Sequence, residues 1–432
     1  MRKQVSHPSG TPVVPDRSFA GNLMRALDTS GLTPRPLGQG DCQSPDGKRC
    51  RLCLASHLDY RDELPLKDVV LRRFWKESIG RQDLDPLTAS PHGRGYRTVT
   101  KRKAFRHGGK VRLGLIDPTE RTSGGLFPVV HCAIEPPEHA GLYSTIELFL
   151  SSPRSREMTE TLRYAIIKGS YDEFTVLLNV HTITATSIRE ANVLSKLLTA
   201  ASGKVAGVFL LQGGSDDRYY IGGDEVPSGI RVRKLYGKPL LFQRVNGKPF
   251  LYPPVIFSQV NHSILHAFAE GALTLLNPSG NETFYDLYCG YGLFALLLAP
   301  RFRRVLGVEV SHDAIGAARE NARRQKVRNA RFSRLDVSGD TIHSIVEHAS
   351  PDDMVLLDPP RNGTAEGVIE AIAGRGVRKV LHVFCNVEII KDEVGRWEQT
   401  GYTLRRAVPF DMFPGTASAE VLVLLEPVAA VR

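Results

Sequence analysis

The stretch Thr283–Phe294, with the sequence TFYDLYCGYGLF, decides the fold of this chain. Its first six residues have the aromatic and β-branched composition of a strand, and the Ala- and Leu-rich residues after Gly292 are typical of a helix. Between the two, Gly290 and Gly292 allow the backbone to turn tightly and to approach a ligand closely. A strand, a glycine turn and a helix in this order predict a nucleotide-type site in a doubly wound α/β sheet.

Acidic residues stand at the ends of the strands predicted after this turn. The strand Arg304–Glu309 ends in an acid about twenty residues after the glycines, where nucleotide sites place the carboxylate that hydrogen-bonds the ribose. The strand Ala330–Asp336 also ends in an acid, and a further strand runs into Leu357-Asp-Pro-Pro-Arg361. Ligands bind beyond the carboxyl ends of the strands in open α/β sheets. These acids are therefore predicted to line a ligand crevice.

One thiol stands at the end of the next apolar strand, in the sequence Leu381-His-Val-Phe-Cys-Asn386. A cysteine at the carboxyl end of a strand faces the substrate crevice, and that position suits a nucleophile. The alternative is a buried core cysteine, which is the commoner fate of a lone strand thiol. The glycine turn and the acids on the preceding strands favour the nucleophile, so Cys385 is the candidate catalytic residue.

Together these motifs resemble those of the S-adenosylmethionine-dependent RNA uracil-C5 methyltransferases, the 5-methyluridine-forming enzymes of tRNA and 23S rRNA. The resemblance covers roughly residues 38–427. It is carried by Asp286-x-Tyr288-Cys289-Gly290-x-Gly292-x-Phe294, Glu309, Asp358-Pro-Pro-Arg361, Cys385-Asn386 and Glu420. It implies methyl transfer from S-adenosylmethionine to C5 of a uridine in RNA.

The same resemblance implies a role for each site residue. Cys385 would add to uracil C6, because C5 alone is too weak a nucleophile for a sulfonium methyl group. Glu420 would then remove the C5 proton as a general base, although Ser418 stands where family members usually have a His two residues before this Glu. Asp358 would either bind the cofactor or accept the uracil N3–H, and Arg361 would contact phosphate or base. Cofactor contacts are implied for Gln259, Tyr288, Gly290, Glu309, Asp336 and Asp358.

Four cysteines in the N-terminal half form a candidate metal site. Cys42, Cys50 and Cys53 have the pattern C-x7-C-x2-C, and Cys132 is the other cysteine before the glycine turn. The residues between the first three are polar and charged, which predicts a loop of ligands. Four thiolates hold either zinc or a [4Fe–4S] cluster, and the spacing alone favours zinc. The resemblance implies a [4Fe–4S] cluster instead, because the 23S rRNA-modifying members carry one on a similar set.

The formal net charge of +10 favours a polyanionic partner. Eight Lys or Arg residues and no acid lie between Arg94 and Arg112, interleaved with aromatic rings. A solvated strand face is one interpretation of this segment. The other is a surface that follows the phosphate backbone of looped or single-stranded RNA, with rings that stack on bases. The residues predicted to bind RNA are Arg97, Arg102, Lys103, Arg106 and Arg361.

The chain divides into three predicted segments. Residues 1–38 are rich in Pro, Gly, Ser and Arg and are predicted to be a flexible tail with a short helix near Phe19–Leu27. Residues 39–250 are predicted to be an α+β domain that carries the cysteine site and binds RNA, with a helix near Ser155–Lys168. Residues 251–432 alternate strand and helix, which predicts the seven-stranded Rossmann-like methyltransferase sheet of an α/β domain, closed by an antiparallel hairpin.

Composition also predicts where the protein works. No apolar run reaches the about 18 residues needed to cross a bilayer, so we expect a soluble protein. Six cysteines without a signal peptide indicate a reducing cytoplasm. A monomer is the default for a protein that acts on a large RNA, and the tail is too short for the N-terminal β-barrel of some family members. The chain is thus most similar to the shorter 23S rRNA members.

Three alternative functions remain open from the sequence. An N-exocyclic amino methyltransferase uses an Asn/Asp-Pro-Pro-Tyr/Phe turn, but Arg361 occupies the aromatic position here and Cys385 would have no role. A non-catalytic or weakly active rRNA-binding or assembly protein could keep the same fold. A tRNA uridine methyltransferase is the third alternative.

Overall fold

The computed structural model describes residues 18–35, 41–45, 47, 50, 52–54, 57–81, 83–116, 126–213 and 231–428. Its helices are α1 Phe19–Thr29, α2 Tyr60–Ile79, α3 Pro137–Leu150, α4 Arg156–Thr161, α5 Ala185–Ala201, α6 Leu265–Leu276, α7 Leu293–Leu298, α8 His312–Arg324, α9 Ile342–Ile345, α10 Val368–Ala373 and α11 Ile390–Gln399. Its first nine strands are β1 Val99–His107, β2 Lys110–Ile116, β3 Leu126–Pro128, β4 Leu162–Gly169, β5 Phe174–Val180, β6 Val205–Gln212, β7 Arg231–Gly237, β8 Leu241–Val245 and β9 Lys248–Tyr252. The other seven are β10 Thr283–Leu287, β11 Arg304–Glu309, β12 Ala330–Arg334, β13 Met354–Leu357, β14 Lys379–Phe384, β15 Tyr402–Phe410 and β16 Glu420–Pro427.

The C-terminal sheet has seven strands in the order β12-β11-β10-β13-β14-β16-β15. The first five are parallel, and β16 pairs antiparallel with both β14 and β15. The predicted seven-stranded methyltransferase sheet with a terminal antiparallel hairpin is therefore confirmed. Strand order reverses at β10, which lies between β11 and β13, and such a switch point opens a ligand crevice at the strand ends. The glycine turn follows β10 directly, so it lies at this crevice.

The N-terminal sheet also has seven strands, in the order β3-β2-β1-β4-β5-β6-β7. Only its β5–β6 pair is parallel among the described strands. One face packs on α3 and α5 through apolar side chains such as Ile146 and Leu194. Antiparallel strands with helices on one face make this an α+β arrangement, as predicted.

The helix predicted near Ser155–Lys168 is wrong over most of its length. Only α4 is helical, and β4 begins at Leu162. All eight residues of β4 are buried, and the strand pairs with β1 on one side and β5 on the other. A run such as Tyr164–Ile167 fits a fully buried strand as well as a helix, and pairing on both edges decides between the two.

Two N-terminal helices pack against the C-terminal sheet. Phe19 of α1 and Trp75 of α2 belong to the same apolar cluster as Phe384 and Tyr402. The backbone N–H of Phe19 donates a hydrogen bond to Glu388 Oε1 at 2.7 Å. The helix dipole favours a carboxylate at the N-terminus of α1. Residues 1–17 and 36–38 of the predicted tail lie outside the described residues, but its predicted short helix is present as α1.

None of the helices in the described part of the chain combines the length and apolar character needed to cross a bilayer.

Candidate active site

The glycine turn after β10 holds an acidic side chain in place. Tyr288, Gly290 and Gly292 all have positive φ values, of 65°, 53° and 80°. Glu309, at the end of β11, accepts hydrogen bonds from the backbone N–H groups of Gly290 at 3.2 Å and Ser311 at 2.8 Å. The carboxylate predicted to bind a ribose therefore lies against the turn.

The other predicted cofactor residues lie around the same strand ends, with different exposure. Gln259 is buried, and its neighbour Val260 accepts a backbone hydrogen bond from Thr98 at the start of β1. The hydroxyl of Tyr288 donates to the carbonyl of Val337 at 3.2 Å. Asp336 lies just beyond β12 and is exposed. This places Gln259 at the junction of the two sheets and Asp336 at the open side of the crevice.

Asp286, for which the sequence predicts no role, lies at the same crevice in the structure. Its Oδ2 accepts the backbone N–H of Ala295 at 2.8 Å, whereas its buried Oδ1 has no hydrogen-bond partner among the described residues. Burial raises the pKa of Asp286 to about 8. An acid inside an otherwise apolar strand was the sequence signal that could have identified it, because a lone buried carboxyl group requires a donor.

The end of β14 and the start of β16 bring the candidate nucleophile and base together. These strands pair antiparallel with Phe384 opposite Val421, so Cys385, which directly follows β14, and Glu420, the first residue of β16, lie at the same end of the pair. The charge of Glu420 raises the pKa of Cys385, so a thiol and a carboxyl group that are distant in the sequence lie close together at the strand ends.

Cys385, Glu420, Asp358 and Arg361 interact electrostatically. Burial and, to a smaller extent, the charges of Glu420 and Asp358 raise the pKa of the half-buried Cys385 thiol to about 12, whereas Arg361 opposes the shift. Burial also raises the pKa of Glu420 well above its ordinary value, with the same contributions from Asp358 and Arg361. Burial raises the pKa of Asp358 to about 7. Displaced carboxyl and thiol pKa values in a crevice are typical of catalytic sites.

Residues 240–428, which include β8 to β16, match the protein-family model of the tRNA (uracil-5-)-methyltransferases. Over this part of the chain, which is less than half of its length, the sequence is similar to the RNA uracil-C5 methyltransferases. The chain is an RNA methyltransferase, and its C-terminal sheet has the methyltransferase fold.

Relatives extend the match beyond the catalytic half. An uncharacterized RNA methyltransferase of Caldanaerobacter subterraneus is 27% identical over 396 residues, covering 88% of this chain and 84% of the relative. One from Chlamydia trachomatis is 25% identical over 415 residues, covering 87% and 96%. The crystal structure of the Pyrococcus abyssi tRNA (uracil-54, C5)-methyltransferase in complex with S-adenosyl-L-homocysteine has a similar fold, with a TM-score of 0.63, 20% identity and coverage of 88% and 87%.

Arg102 differs from the other residues predicted to bind RNA in this methyltransferase, because it is only 1% exposed. Its guanidinium group pairs with Glu135 at 2.7 Å, donates to the carbonyl of Val129 and lies 3.9 Å from the ring centroid of Tyr143. A side chain with these contacts does not reach a phosphate group. Arg102 is a core residue, and its predicted role in RNA binding is corrected accordingly.

The remaining predicted RNA-binding residues reach the surface. Arg106 and Arg361 are exposed, and Arg97 and Lys103 are half-buried. A cavity of about 400 Å³ lies at the far end of β1. Arg163 and His181, which were not among the predicted RNA-binding residues, also line it. The residues that line it include Lys103, Phe105, Arg106, Glu160, Arg163 and His181.

The four-cysteine metal site is wrong. Among the described residues, no group of three or more His, Cys, Asp or Glu side chains could hold a metal ion. Cys42, Cys50, Cys53 and Cys132 are all among the described residues and do not form such a group, so both the predicted [4Fe–4S] cluster and its zinc alternative are withdrawn.

Proposed function

We propose that this methyltransferase transfers a methyl group to C5 of a uridine in RNA through a covalent bond between Cys385 Sγ and uracil C6. The observation that carries the proposal is the proximity of Cys385 and Glu420 at one end of the β14–β16 pair, next to Asp358 and Arg361. An amino-group methyltransferase has no use for a thiol at this place. Covalent trapping tests the proposal: RNA with 5-fluorouridine at the target should form a denaturation-resistant complex with the wild-type protein, and absence of that complex would contradict it.

In the proposed reaction, Cys385 and Glu420 each have one role. The deprotonated Cys385 sulfur forms a bond to C6, and the C5–C6 π electrons move to give an enolate at C4–O4. C5 then forms a bond to the methyl carbon, which S-adenosylmethionine would supply as its sulfur–methyl bond breaks. The Glu420 carboxylate takes the remaining C5 proton, the C5–C6 double bond re-forms, and the C6–S bond breaks to return the thiolate. The cationic Arg361 stands where it would stabilise the developing negative charge.

Several residues fit S-adenosylmethionine. The unpaired Oδ1 of Asp286 would accept a hydrogen bond from an ammonium group, and Glu309 at the glycine turn would accept ribose hydroxyls. A Cβ added at Gly290 would meet no protein atom within 4 Å, so a ligand can approach the backbone there. Gln259, Tyr288, Asp336 and Asp358 complete the proposed cofactor set. When bound, S-adenosylmethionine supplies an electrophilic methyl group.

Asp358 is also proposed to accept the uracil N3–H, a donor that cytosine lacks. Its pKa is raised to about 7, so the accepting carboxylate form is lost as the pH falls below about 7. We expect kcat/KM for RNA to fall about tenfold per pH unit below this value. In Asp358→Asn the inflection near pH 7 should disappear, because an amide does not titrate. An unchanged pH profile in the variant would assign the titration to another group.

The basic surface of β1 is the proposed RNA-binding region. Lys103 and Arg106 both line the cavity at the far end of the strand, and the side chain of Lys103 also approaches the Tyr164 ring, 5.9 Å from its centroid. Arg97 lies at the other end of the segment, close enough to affect the pKa of Cys53. RNA that follows the strand from Arg97 to Arg106 would pass both ends of the N-terminal sheet.

Replacing Lys103 and Arg106 with Gln should weaken RNA binding and its dependence on salt. Each lost phosphate contact lowers the log–log salt slope by roughly 0.7 for single strands, and the single variants show which of the two side chains contacts the RNA. The maximal rate should stay constant, because these contacts stabilise ground and transition states alike. Arg328→Gln with Arg331→Gln, on the edge of the C-terminal sheet, removes the same charge and is the control. Equal slopes in the two double variants would contradict a specific role for β1.

Two RNA classes are candidate substrates. The sequence resembles the 23S rRNA-modifying members of the family, so we propose 23S rRNA first. The similarity to a tRNA (uracil-54, C5)-methyltransferase supports tRNA as the second candidate. Transfer of labelled methyl groups to unmodified 23S rRNA and tRNA, followed by mapping of 5-methyluridine, distinguishes them. Label in tRNA alone would overturn the first choice.

A further inference from the structure

A buried polar network joins α2 to the loop that precedes Glu420. This loop, residues 411–419, connects β15 to β16 and is called the base loop below. Lys67 Nζ pairs with Asp411 Oδ1 at 2.7 Å, with both side chains fully buried, and also donates to the carbonyl of Phe413 at 3.2 Å. The hydroxyl of Tyr60 donates to Asp411 Oδ2 at 3.0 Å. One lysine and one tyrosine of α2 thus hold the first residues of the base loop.

A second buried pair holds the middle of the base loop. Glu63 Oε1 accepts the backbone N–H of Gly415, and its Oε2 pairs with Arg94 at 2.7 Å. The hydroxyl of Tyr96 donates to the carbonyl of Pro414 at 3.0 Å. Residues outside the C-terminal sheet therefore satisfy consecutive backbone groups of the base loop, which a buried loop requires.

Glu420 depends on this support because its own side chain has little. Its carboxyl group is 3% exposed, and Oε2 has no hydrogen-bond partner among the described residues. The place of that carboxyl group is consequently set by the backbone that carries it. Glu420 pairs with Phe410 of β15, and the next residue along the chain, Val421, lies opposite Phe384 of β14. On its N-terminal side, the backbone of Glu420 continues directly into the base loop.

We propose that Lys67, Glu63 and Tyr60 are positioning residues that hold the base loop so that Glu420 can take the C5 proton. The inference rests on the proposed function and assigns α2 a part in the late step of the reaction. A base displaced by about 1 Å loses much of its rate advantage, whereas Cys385 is carried by β14, which the base loop does not touch through these contacts. Loss of the network should therefore slow release of the adduct more than its formation.

The test compares Lys67→Met, Glu63→Gln and Tyr60→Phe with the wild-type chain in single-turnover reactions on uridine RNA. We expect adduct formation within about threefold of wild type and adduct release slowed about tenfold or more, so that the denaturation-resistant complex accumulates. Tyr60→Phe removes only one hydroxyl group, so it keeps the test informative if Lys67→Met does not fold.

Glu135→Gln is the matched control, because Glu135 forms a comparable buried pair with Arg102 at 2.7 Å without contacting the base loop. It should lower the melting temperature without accumulation of adduct. Parallel loss of formation and release in the α2 variants, or accumulation in Glu135→Gln, would reduce the network to a structural role and overturn the inference. Failure of the wild-type protein to trap 5-fluorouridine RNA would instead overturn the proposed function, and this inference with it.

Discussion

Cys385→Ala should abolish methyl transfer to RNA while leaving the affinity for S-adenosylmethionine nearly unchanged. Without the C6 bond, C5 has no enolate character, so the methyl group has no adequate acceptor. Removal of a covalent nucleophile costs on the order of 10⁴-fold or more in rate. The thiol directly follows β14 and lies next to Glu420 and Asp358. Asp286, which is proposed to bind the ammonium group of the cofactor, lies on β10 instead. Methyl incorporation into RNA is measured under single-turnover conditions. The affinity for S-adenosyl-L-homocysteine, the cofactor after methyl transfer, is measured by calorimetry.

The 5-fluorouridine trap provides the second readout for this variant. Cys385→Ala should form no denaturation-resistant complex under conditions in which the wild-type protein is fully trapped. Cys385→Ser should do the same, since a hydroxyl group is a far weaker nucleophile than a thiolate. If either variant keeps substantial turnover, the covalent mechanism is wrong, and Cys385 is a strand cysteine with a packing role.

The high pKa of Cys385 explains why the neighbouring charges matter to this prediction. Burial, Glu420 and Asp358 all favour the protonated thiol in the free protein, whereas Arg361 and a backbone hydrogen bond at Cys385 favour the thiolate. In the proposed mechanism, a bound uracil would place an electron-accepting ring beside the sulfur and a hydrogen-bond donor beside Asp358. Attack would then become favourable only when the substrate is present, which would limit reaction of the thiol with other electrophiles.

The C-terminal half was predictable because its signals are local. The glycine turn, the acids and Cys385 all stand where strands end, and parallel strands bring their carboxyl ends to one edge. β4 was mistaken for a helix because its buried run Leu162–Gly169 lacks the alternation of a half-exposed strand. Only its pairing with β1 and β5 settles the conformation, and of these two strands β1 is distant in the sequence whereas β5 follows β4 after a short turn.

Contacts between distant segments account for the other differences. Arg102 belongs to a run of cations, but alternate strand residues face opposite sides, and its partner Glu135 lies on a later segment. No local pattern identifies that pair. The same holds for Lys67 and Asp411, which are 344 positions apart. The spacing of the cysteines correctly predicted that Cys42 and Cys50 lie close enough to Cys53 to raise its pKa, but proximity alone does not make a metal site.

Glu420→Gln should form the covalent RNA adduct and release it slowly. The amide cannot take the C5 proton, so the reaction is expected to stop after methyl transfer, with C6 still bonded to Cys385. Loss of a positioned general base costs about 10²- to 10⁴-fold, and the loss should appear in product release rather than in formation of the C–S bond. Electrophoresis under denaturing conditions and mass spectrometry of the digested complex would detect a methylated nucleotide on the Cys385 peptide.

Glu426→Gln is the matched control, because Glu426 lies at the opposite end of β16 and pairs there with Arg405 at 3.3 Å. The two positions are about 20 Å apart along the strand, so the control variant should react like the wild-type protein. The raised pKa of Glu420 makes its carboxylate a strong base once it is ionised, and loss of that ionisable group should remove the corresponding limb of the pH profile for release. If Glu420→Gln accumulates no adduct with uridine RNA yet still turns over, the base is another group, and Asp358 is the next carboxyl group within the site.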